Sequence, residues 1–271
     1  MAEAAERLDP VPELKITVLG CGGAGGVPTV SRGWGVCNPD NPKNHRLRAS
    51  LLIESGTTKV LIDASPDLRQ QCLTYGIREL DAVVFTHAHA DHIHGLDELR
   101  EINRVLHGPL NVWADATTLR DVETRFDYAF EGLEPDAPTI YRPWLIANLI
   151  DTPAPFRIGD LTFEPFIQDH AVMETLGFRI GDFAYSTDLV RLPPPARSAL
   201  QGLDLWMVGA LTDQPNHLTH FSVTEALEWI AEIKPQRAVI THMGAGLDYD
   251  AVLERCPPGV TPAYDGMVIQ V

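Results

Sequence analysis

Residues 81–92 read Asp81-Ala-Val-Val-Phe-Thr-His-Ala-His-Ala-Asp-His92, and this stretch decides how the rest of the chain is read. Its apolar start, Ala82 to Phe85, has the length and composition of a buried strand. Three imidazoles and a carboxylate follow at His87, His89, Asp91 and His92. On a helix His87 and His89 would point to nearly opposite sides. On a strand running into a loop, positions 87, 89 and 91 share one side, and His92 turns toward a second point. Neutral imidazole and carboxylate are the donors that suit zinc, manganese and iron.

One loop cannot surround a metal, so further ligands are expected at the ends of other strands. Working outward, three apolar segments end in a suitable donor: Phe163–Ile167 before His170, Phe183–Thr187 before Asp188, and Ala238–Thr241 before His242. With the motif they make seven candidate ligands, enough for two ions sharing a carboxylate.

The other elements alternate. Strands are expected at 14–19, 50–54, 59–63 and 110–113, with helices from Pro66 to about Tyr75, from Leu96 to Leu106, and from an Asp115 cap through Phe130. A meander of strands follows at about 155–158, 161–167, 175–180 and 183–186. Then come a helix near 194–201, a strand at 204–208 and a capping box, Ser222-Val-Thr-Glu225, opening a helix to Ile233. A last helix near 249–254 and a strand near 263–270 end the chain. Two sheet-forming halves with helices outside predict an α/β (α+β) fold, a four-layer αββα sandwich. Residues 1–13 read as a flexible N-terminal tail and 14–271 as a single domain.

The chain has 271 residues and a formal charge of −16. That charge disfavours an extended nucleic-acid partner, which needs serial Lys and Arg contacts to phosphates, and no such partner is expected. The longest apolar run, Trp144–Ile150, is too short to cross a membrane. Four scattered cysteines without a Cys-x-x-Cys pair, and no signal-peptide pattern at the start, suit a reducing cytoplasm. The local basic cluster Lys43, His45, Arg46 and Arg48 has the size to meet one or two phosphate groups, or to be a solvated loop. Gly20-x-Gly22-x-x-Gly25 matches a dinucleotide fingerprint only formally, because a proline-interrupted loop and not a helix follows it.

The ordered set Thr86-His87-x-His89-x-Asp91-His92, His170, Ser186-Thr187-Asp188 and Thr241-His242 resembles the metallo-β-lactamase superfamily. The resemblance implies that His87, His89 and His170 hold one divalent ion, that Asp91, His92 and His242 hold another, and that Asp188 bridges them. It also implies that Asp63 steadies a metal-bound histidine. Within the superfamily, Leu19–Pro28, His220-x-x-Val-x-Glu-Ala-Leu227 and Tyr264-Asp-Gly-Met267 are similar to the phosphoribosyl 1,2-cyclic phosphate phosphodiesterase (PhnP-type) group. There the expected activity is cleavage of a small anionic cyclic phosphodiester, a phosphoribosyl cyclic phosphate or a cyclic nucleotide. A hydroxide bridging two zinc or manganese ions, with iron as a third choice, is the expected attacking group. His220 is the expected general acid, and His220 and Asp91 are the catalytic candidates. His217, Arg46 and Arg48 are candidates for substrate contact, and a homodimer is expected by the same resemblance. One departure is visible: the group's structural-zinc cysteines lie in the first long loop, which here keeps only Cys37.

Three other readings share this fold. RNA 3′-end processing lacks its basic arm here and is opposed by the charge. A carrier resembling the pyrroloquinoline quinone biosynthesis B protein is opposed by the full ligand set. A carboxylic ester or thioester hydrolase uses the same kind of centre for acyl transfer.

Overall fold

The computed structural model describes residues 13–134, 137 and 139–271, so the tail expected over 1–13 lies, Glu13 apart, outside the described residues. Among the described residues fourteen strands form two seven-stranded sheets. The first contains β1 (Lys15–Gly20), β2 (Ser50–Glu54), β3 (Lys59–Ile62), β4 (Ala82–Val84), β5 (Leu110–Ala114), β6 (Leu145–Leu149) and, from the far end of the chain, β14 (Val268–Gln270). The second contains β7 (Phe156–Ile158), β8 (Leu161–Asp169), β9 (Glu174–Ile180), β10 (Phe183–Ser186), β11 (Leu205–Gly209), β12 (Arg237–Thr241) and β13 (Val260–Pro262). Their spatial orders are β14-β1-β2-β3-β4-β5-β6 and β13-β12-β11-β10-β9-β8-β7.

Alternation along the strands builds the layers. Ile16, Val18, Leu51, Ile53, Val60, Ile62, Ala82 and Val84 pack into one core with Phe163, Phe166, Phe178 and Tyr185 of the second sheet. The intervening Leu19, Leu52, Leu61 and Val83 point the other way, onto Leu68, Ile93, Leu99, Ile102 and Val122 of the outer helices. The helices Pro194–Ala199, Val223–Ile233 and Tyr249–Arg255 accompany the second sheet. The result is the expected αββα sandwich. Strands buried on both faces read as continuous apolar runs, which is why β4 and β11 stood out.

Four local expectations change. The helix begun at Asp115 stops at Arg125, turns through Phe126 (φ −132°) and resumes as Asp127–Phe130. The strand expected over 263–270 is reduced to β14, because Tyr264–Gly266 turns the chain back so that Gly266 N donates to Val18 O. β6 lies within the apolar run 144–150, whose reading goes no further than a membrane span, and β13 carries no strand pattern; both are edge strands. Most consequential, β4 ends at Val84 and a one-turn helix begins at Ala90. The motif is therefore loop and then helix, not strand and then loop.

Candidate metal centre

Parallel strands bring the site together. β3, β4 and β5 run in one direction in the first sheet, and β10, β11 and β12 in the second. The carboxyl ends of such strands are where α/β folds place their ligands. Asp63 follows β3, His87 follows β4, His170 follows β8, Asp188 follows β10 and His242 follows β12. Three of these residues, Asp63, Asp188 and His242, have φ of 62°, 49° and 57°. A left-handed conformation in a residue with a Cβ costs of order 1 kcal/mol or more and gathers at functional sites.

Two groups of donors result, one of His87, His89, His170 and Asp188, the other of Asp91, His92, Asp188 and His242, with donor atoms within 4.8 Å of one another in each. Because Asp91 and His92 sit on the short helix, Asp91 leaves the side shared by His87 and His89 and joins His92. This corrects the expectation that 87, 89 and 91 face one way. Asp188 belongs to both groups. Its Oδ2 faces His87 Nε2 at 3.5 Å and His170 Nε2 at 3.7 Å, while its Oδ1 faces His92 Nε2 at 3.5 Å and His242 Nε2 at 3.1 Å. Asp91 Oδ2 lies 3.3 Å from His92 Nε2 and 3.5 Å from His242 Nε2.

On His87, His92 and His170 the ring nitrogen facing away from this centre is tied down. His92 Nδ1 is 2.7 Å from Asp63 Oδ2, and His170 Nδ1 is 2.6 Å from the Thr219 carbonyl oxygen. His87 Nδ1 is 3.0 Å from Thr86 Oγ1, whose hydroxyl is 2.8 Å from Asp63 Oδ2. Asp63 also accepts the Thr86 N–H. Such contacts fix ring orientation and leave Nε2 to the ligand.

A divalent cation fits these residues. The Nε2 atoms of His87, His92 and His242 are buried without a hydrogen-bond partner, which proteins rarely tolerate. Asp63, Asp91 and Asp188 are buried, and among the described residues none lies within ion-pair distance of a Lys or Arg. Uncompensated buried carboxylates are costly unless a cation completes them. Burial pushes the Asp188 carboxyl up, but His242, His92 and the hydrogen bond from His220 outweigh it and hold it well below the usual range. Burial lowers His92, yet Asp188, Asp63 and Asp91 together raise it well above the ordinary imidazole value. A field that stabilises a proton on His92 would stabilise a cation there as well. Burial brings His170 down to about 4 and keeps His87 low as well, so both rings are neutral and able to donate a lone pair.

His220 stands at the mouth of the centre with 15% of its side chain exposed. Its Nε2 is 3.2 Å from Asp188 Oδ2 and its Nδ1 is 2.8 Å from Thr219 Oγ1. His217 is next to it, with ring centroids 5.6 Å apart. Of the two arginines, Arg46 departs from the substrate role expected of it. Arg46 is buried, and its guanidinium donates to Leu247 O at 2.7 Å, Gly244 O at 3.3 Å and Asn44 Oδ1 at 3.1 Å, so it is committed to the protein and not to a substrate. Arg48 is half-buried against Asp67, with Nε 2.7 Å from Oδ2. Cys37 turns its thiol to Leu247 O at 3.3 Å and packs with Val27 and Ala245, outside both donor groups. Sequence reasoning gives no role to Asp265, a half-buried acid accepting from Cys21 N at 3.0 Å and Leu47 N at 2.7 Å, which clamps the glycine-rich loop. Its signal is the Tyr264-Asp-Gly-Met267 segment, read only as part of the family resemblance.

A histidine–aspartate centre at the strand ends of an αββα sandwich defines the class: a metal-dependent hydrolase. The chain belongs to the β-lactamase superfamily, since the profile described as "Beta-lactamase superfamily domain" matches residues 58–243. It is 30% identical to a solved diphosphatase from the PhnP family, with a TM-score of 0.87 over 96% of this chain and 97% of that one. An octanoyltransferase of Porphyromonas gingivalis is 34% identical over 256 residues, 94% of this chain and 51% of that protein. A ribonuclease Z of Methanopyrus kandleri is 38% identical over 69 residues, 25% of each. This chain thus spans about half the length of the first of these curated relatives. Among the described residues no helix is long and apolar enough to cross a membrane.

Proposed function

We propose that this chain is a phosphodiesterase that uses two divalent ions to hydrolyse a small cyclic phosphodiester, a phosphoribosyl 1,2-cyclic phosphate or a cyclic nucleotide. The observation that carries the reading is Asp188, whose two oxygens each face a separate pair of imidazoles. Zinc and manganese are the preferred ions, with His87, His89 and His170 around one, Asp91, His92 and His242 around the other, and Asp188 shared. When bound, such ions supply Lewis acidity toward phosphoryl oxygens and a water-derived nucleophile at neutral pH.

The chain's own residues do the rest. Asp63 and Thr86 hold His92 and His87 in orientation. His220 is in the position of a general acid: with the proton on Nε2, the Thr219 hydroxyl donates to Nδ1, and the Nε2–H that faces Asp188 Oδ2 is the proton His220 would pass to the departing oxygen. Asp91 enters the chemistry through the centre it completes. The diphosphatase likeness supports phosphoester chemistry, while the charge of −16 speaks against a long RNA substrate.

The test is turnover by protein loaded with zinc and then manganese. The panel is phosphoribosyl 1,2-cyclic phosphate, 2′,3′- and 3′,5′-cyclic nucleotides, and a thioester. Hydrolysis of one cyclic phosphate supports the reading; silence on every phosphodiester with metal content confirmed sinks it. One observation favours a second reading, acyl ester or thioester hydrolysis: the likeness to half of a protein named an octanoyltransferase. Turnover of the thioester alone would move the assignment there.

A further inference from the structure

Thr219 lies on the segment between β11 and the helix Val223–Ile233, among three histidines of the site. Each of its polar groups meets a different ring. Its carbonyl oxygen accepts from His170 Nδ1 at 2.6 Å, its hydroxyl is 2.8 Å from His220 Nδ1, and its N–H donates to His217 Nδ1 at 3.4 Å. The His170 and His220 rings meet edge to face, with centroids 4.7 Å apart. The mount is firm. Buried Phe221 donates its N–H to Leu189 O at 2.9 Å and accepts from Leu211 N at 3.0 Å. Leu189 directly follows the shared carboxylate Asp188, so the segment carrying His220 is held to the centre on both sides of that ring.

A second threonine shows by contrast what the Thr219 hydroxyl does. Thr86 also precedes a histidine of the site, and its Oγ1 lies 3.0 Å from His87 Nδ1. Thr86 gives its own proton to Asp63 Oδ2 at 2.8 Å, so toward His87 it can only accept. That ring keeps its hydrogen on Nδ1 and turns a bare Nε2 to the centre, as a ligand must. Beside His170 and His92 the neighbours of Nδ1, a carbonyl and a carboxylate, are likewise acceptors alone. Thr219 differs. Among the described residues its hydroxyl has no partner besides His220 Nδ1, while the Nε2 of that ring faces Asp188 Oδ2 at 3.2 Å. With a hydroxyl donating on one side and a carboxylate accepting on the other, the hydrogen belongs on Nε2. His220 is kept out of the ligand tautomer that His87, His92 and His170 adopt.

We propose that Thr219 is a positioning residue that sorts two histidines by function. Its carbonyl fixes His170 as a ligand, and its hydroxyl fixes His220 with the hydrogen on Nε2, presented to the substrate. The inference rests on the phosphodiesterase reading for what that hydrogen meets, the departing oxygen. The sorting itself rests on the hydrogen bonds alone.

The experiment compares the zinc-loaded native chain with Thr219→Val and Thr219→Ser. Valine removes the hydroxyl and leaves the carbonyl and the N–H in place. Nitrogen NMR of the histidine rings reads the tautomers without turnover. His170 should carry its hydrogen on Nδ1 in every chain, and His220 on Nε2 in the native chain and in Thr219→Ser. In Thr219→Val, His220 should lose that single form. The kinetic arm uses 2′,3′-cyclic AMP, whose departing alkoxide needs a proton, and bis(p-nitrophenyl) phosphate, whose phenolate leaves without one. In Thr219→Val, kcat should fall about tenfold or more on the first and stay within about twofold on the second, with KM and zinc content steady. Thr219→Ser should restore most of the loss. A native His220 with its hydrogen on Nδ1, or a tautomer indifferent to Thr219→Val, overturns the inference. So does an equal loss on both substrates, the mark of a merely structural role. A native chain that hydrolyses neither phosphodiester yet shows the expected tautomers overturns the phosphodiesterase reading and keeps the sorting of the histidines.

Discussion

The two halves of the molecule contribute to the centre in opposite ways. The first sheet gives His87, His89, Asp91 and His92 from six consecutive positions after one strand, braced from beneath by Asp63. The second sheet gives His170, Asp188 and His242 from three separate strand ends, two of them in left-handed conformation. The first contribution is a local motif; the second exists only once β8, β10 and β12 are aligned. The difference teaches where the centre should be fragile. A contiguous loop keeps its donors together through local geometry, whereas the distributed set depends on packing throughout the second sheet. Asp188 is the single residue on which both meet.

The largest expected effect is therefore at Asp188. Asp188→Ala removes the shared carboxylate and should lower turnover by on the order of 10³-fold or more, with loss of bound metal. Metal analysis of the purified variant checks it: full metal content with near-normal turnover would show that the two groups function without a bridge. In the native chain, stripping the metal with a chelator should lower Tm, because ligands held by the folded state alone stabilise it. His220→Ala should come next, with kcat down by about 10²-fold or more and metal content unchanged. Metal lost along with activity would instead place His220 among the ligands.

Asp63 tests the local half. Asp63→Asn keeps the shape and one acceptor oxygen but cannot satisfy Thr86 and His92 as the carboxylate does. Metal affinity should fall about 10–100-fold, measured by competition with a chromophoric chelator. Affinity preserved in this variant would mean that His92 is oriented by packing alone.

The sequence disclosed these halves unequally, for physical reasons. Period and donor type made the 86–92 motif legible, and an apolar run ending in His or Asp marked 170, 188 and 242. Neither signal specifies backbone conformation, so the one-turn helix from Ala90 and the positive φ at Asp63, Asp188 and His242 were invisible. These conformations depend on contacts across the sandwich, which override local preference. Edge strand β13 escaped because a half-solvated strand lacks a clean pattern. Arg46 was misread because charge usually marks surface, and only the folded chain surrounds it with carbonyls.

Arg46 and Arg48 repeat the contrast on a smaller scale, two residues apart on one segment. Arg46 holds the segment after His242 to the glycine-rich loop: its side chain binds the Gly244 and Leu247 carbonyls, and its backbone pairs with Val27 in both directions, at 2.8 and 2.9 Å. Arg46→Met leaves the Leu247 carbonyl with only the Cys37 thiol and the Gly244 carbonyl with only the Leu247 N–H, and should cost about 1–3 kcal/mol of unfolding free energy. Arg48 makes one partly exposed ion pair with Asp67, and pairs of that kind contribute little because solvent screens them and ordering two side chains has an entropic cost. Arg48→Ala should therefore shift unfolding by no more than about 1 kcal/mol. Denaturant titration of the two variants side by side decides the matter. Equal losses would mean that burial does not separate them, and a fall in kcat/KM confined to Arg48→Ala would return that residue to the substrate.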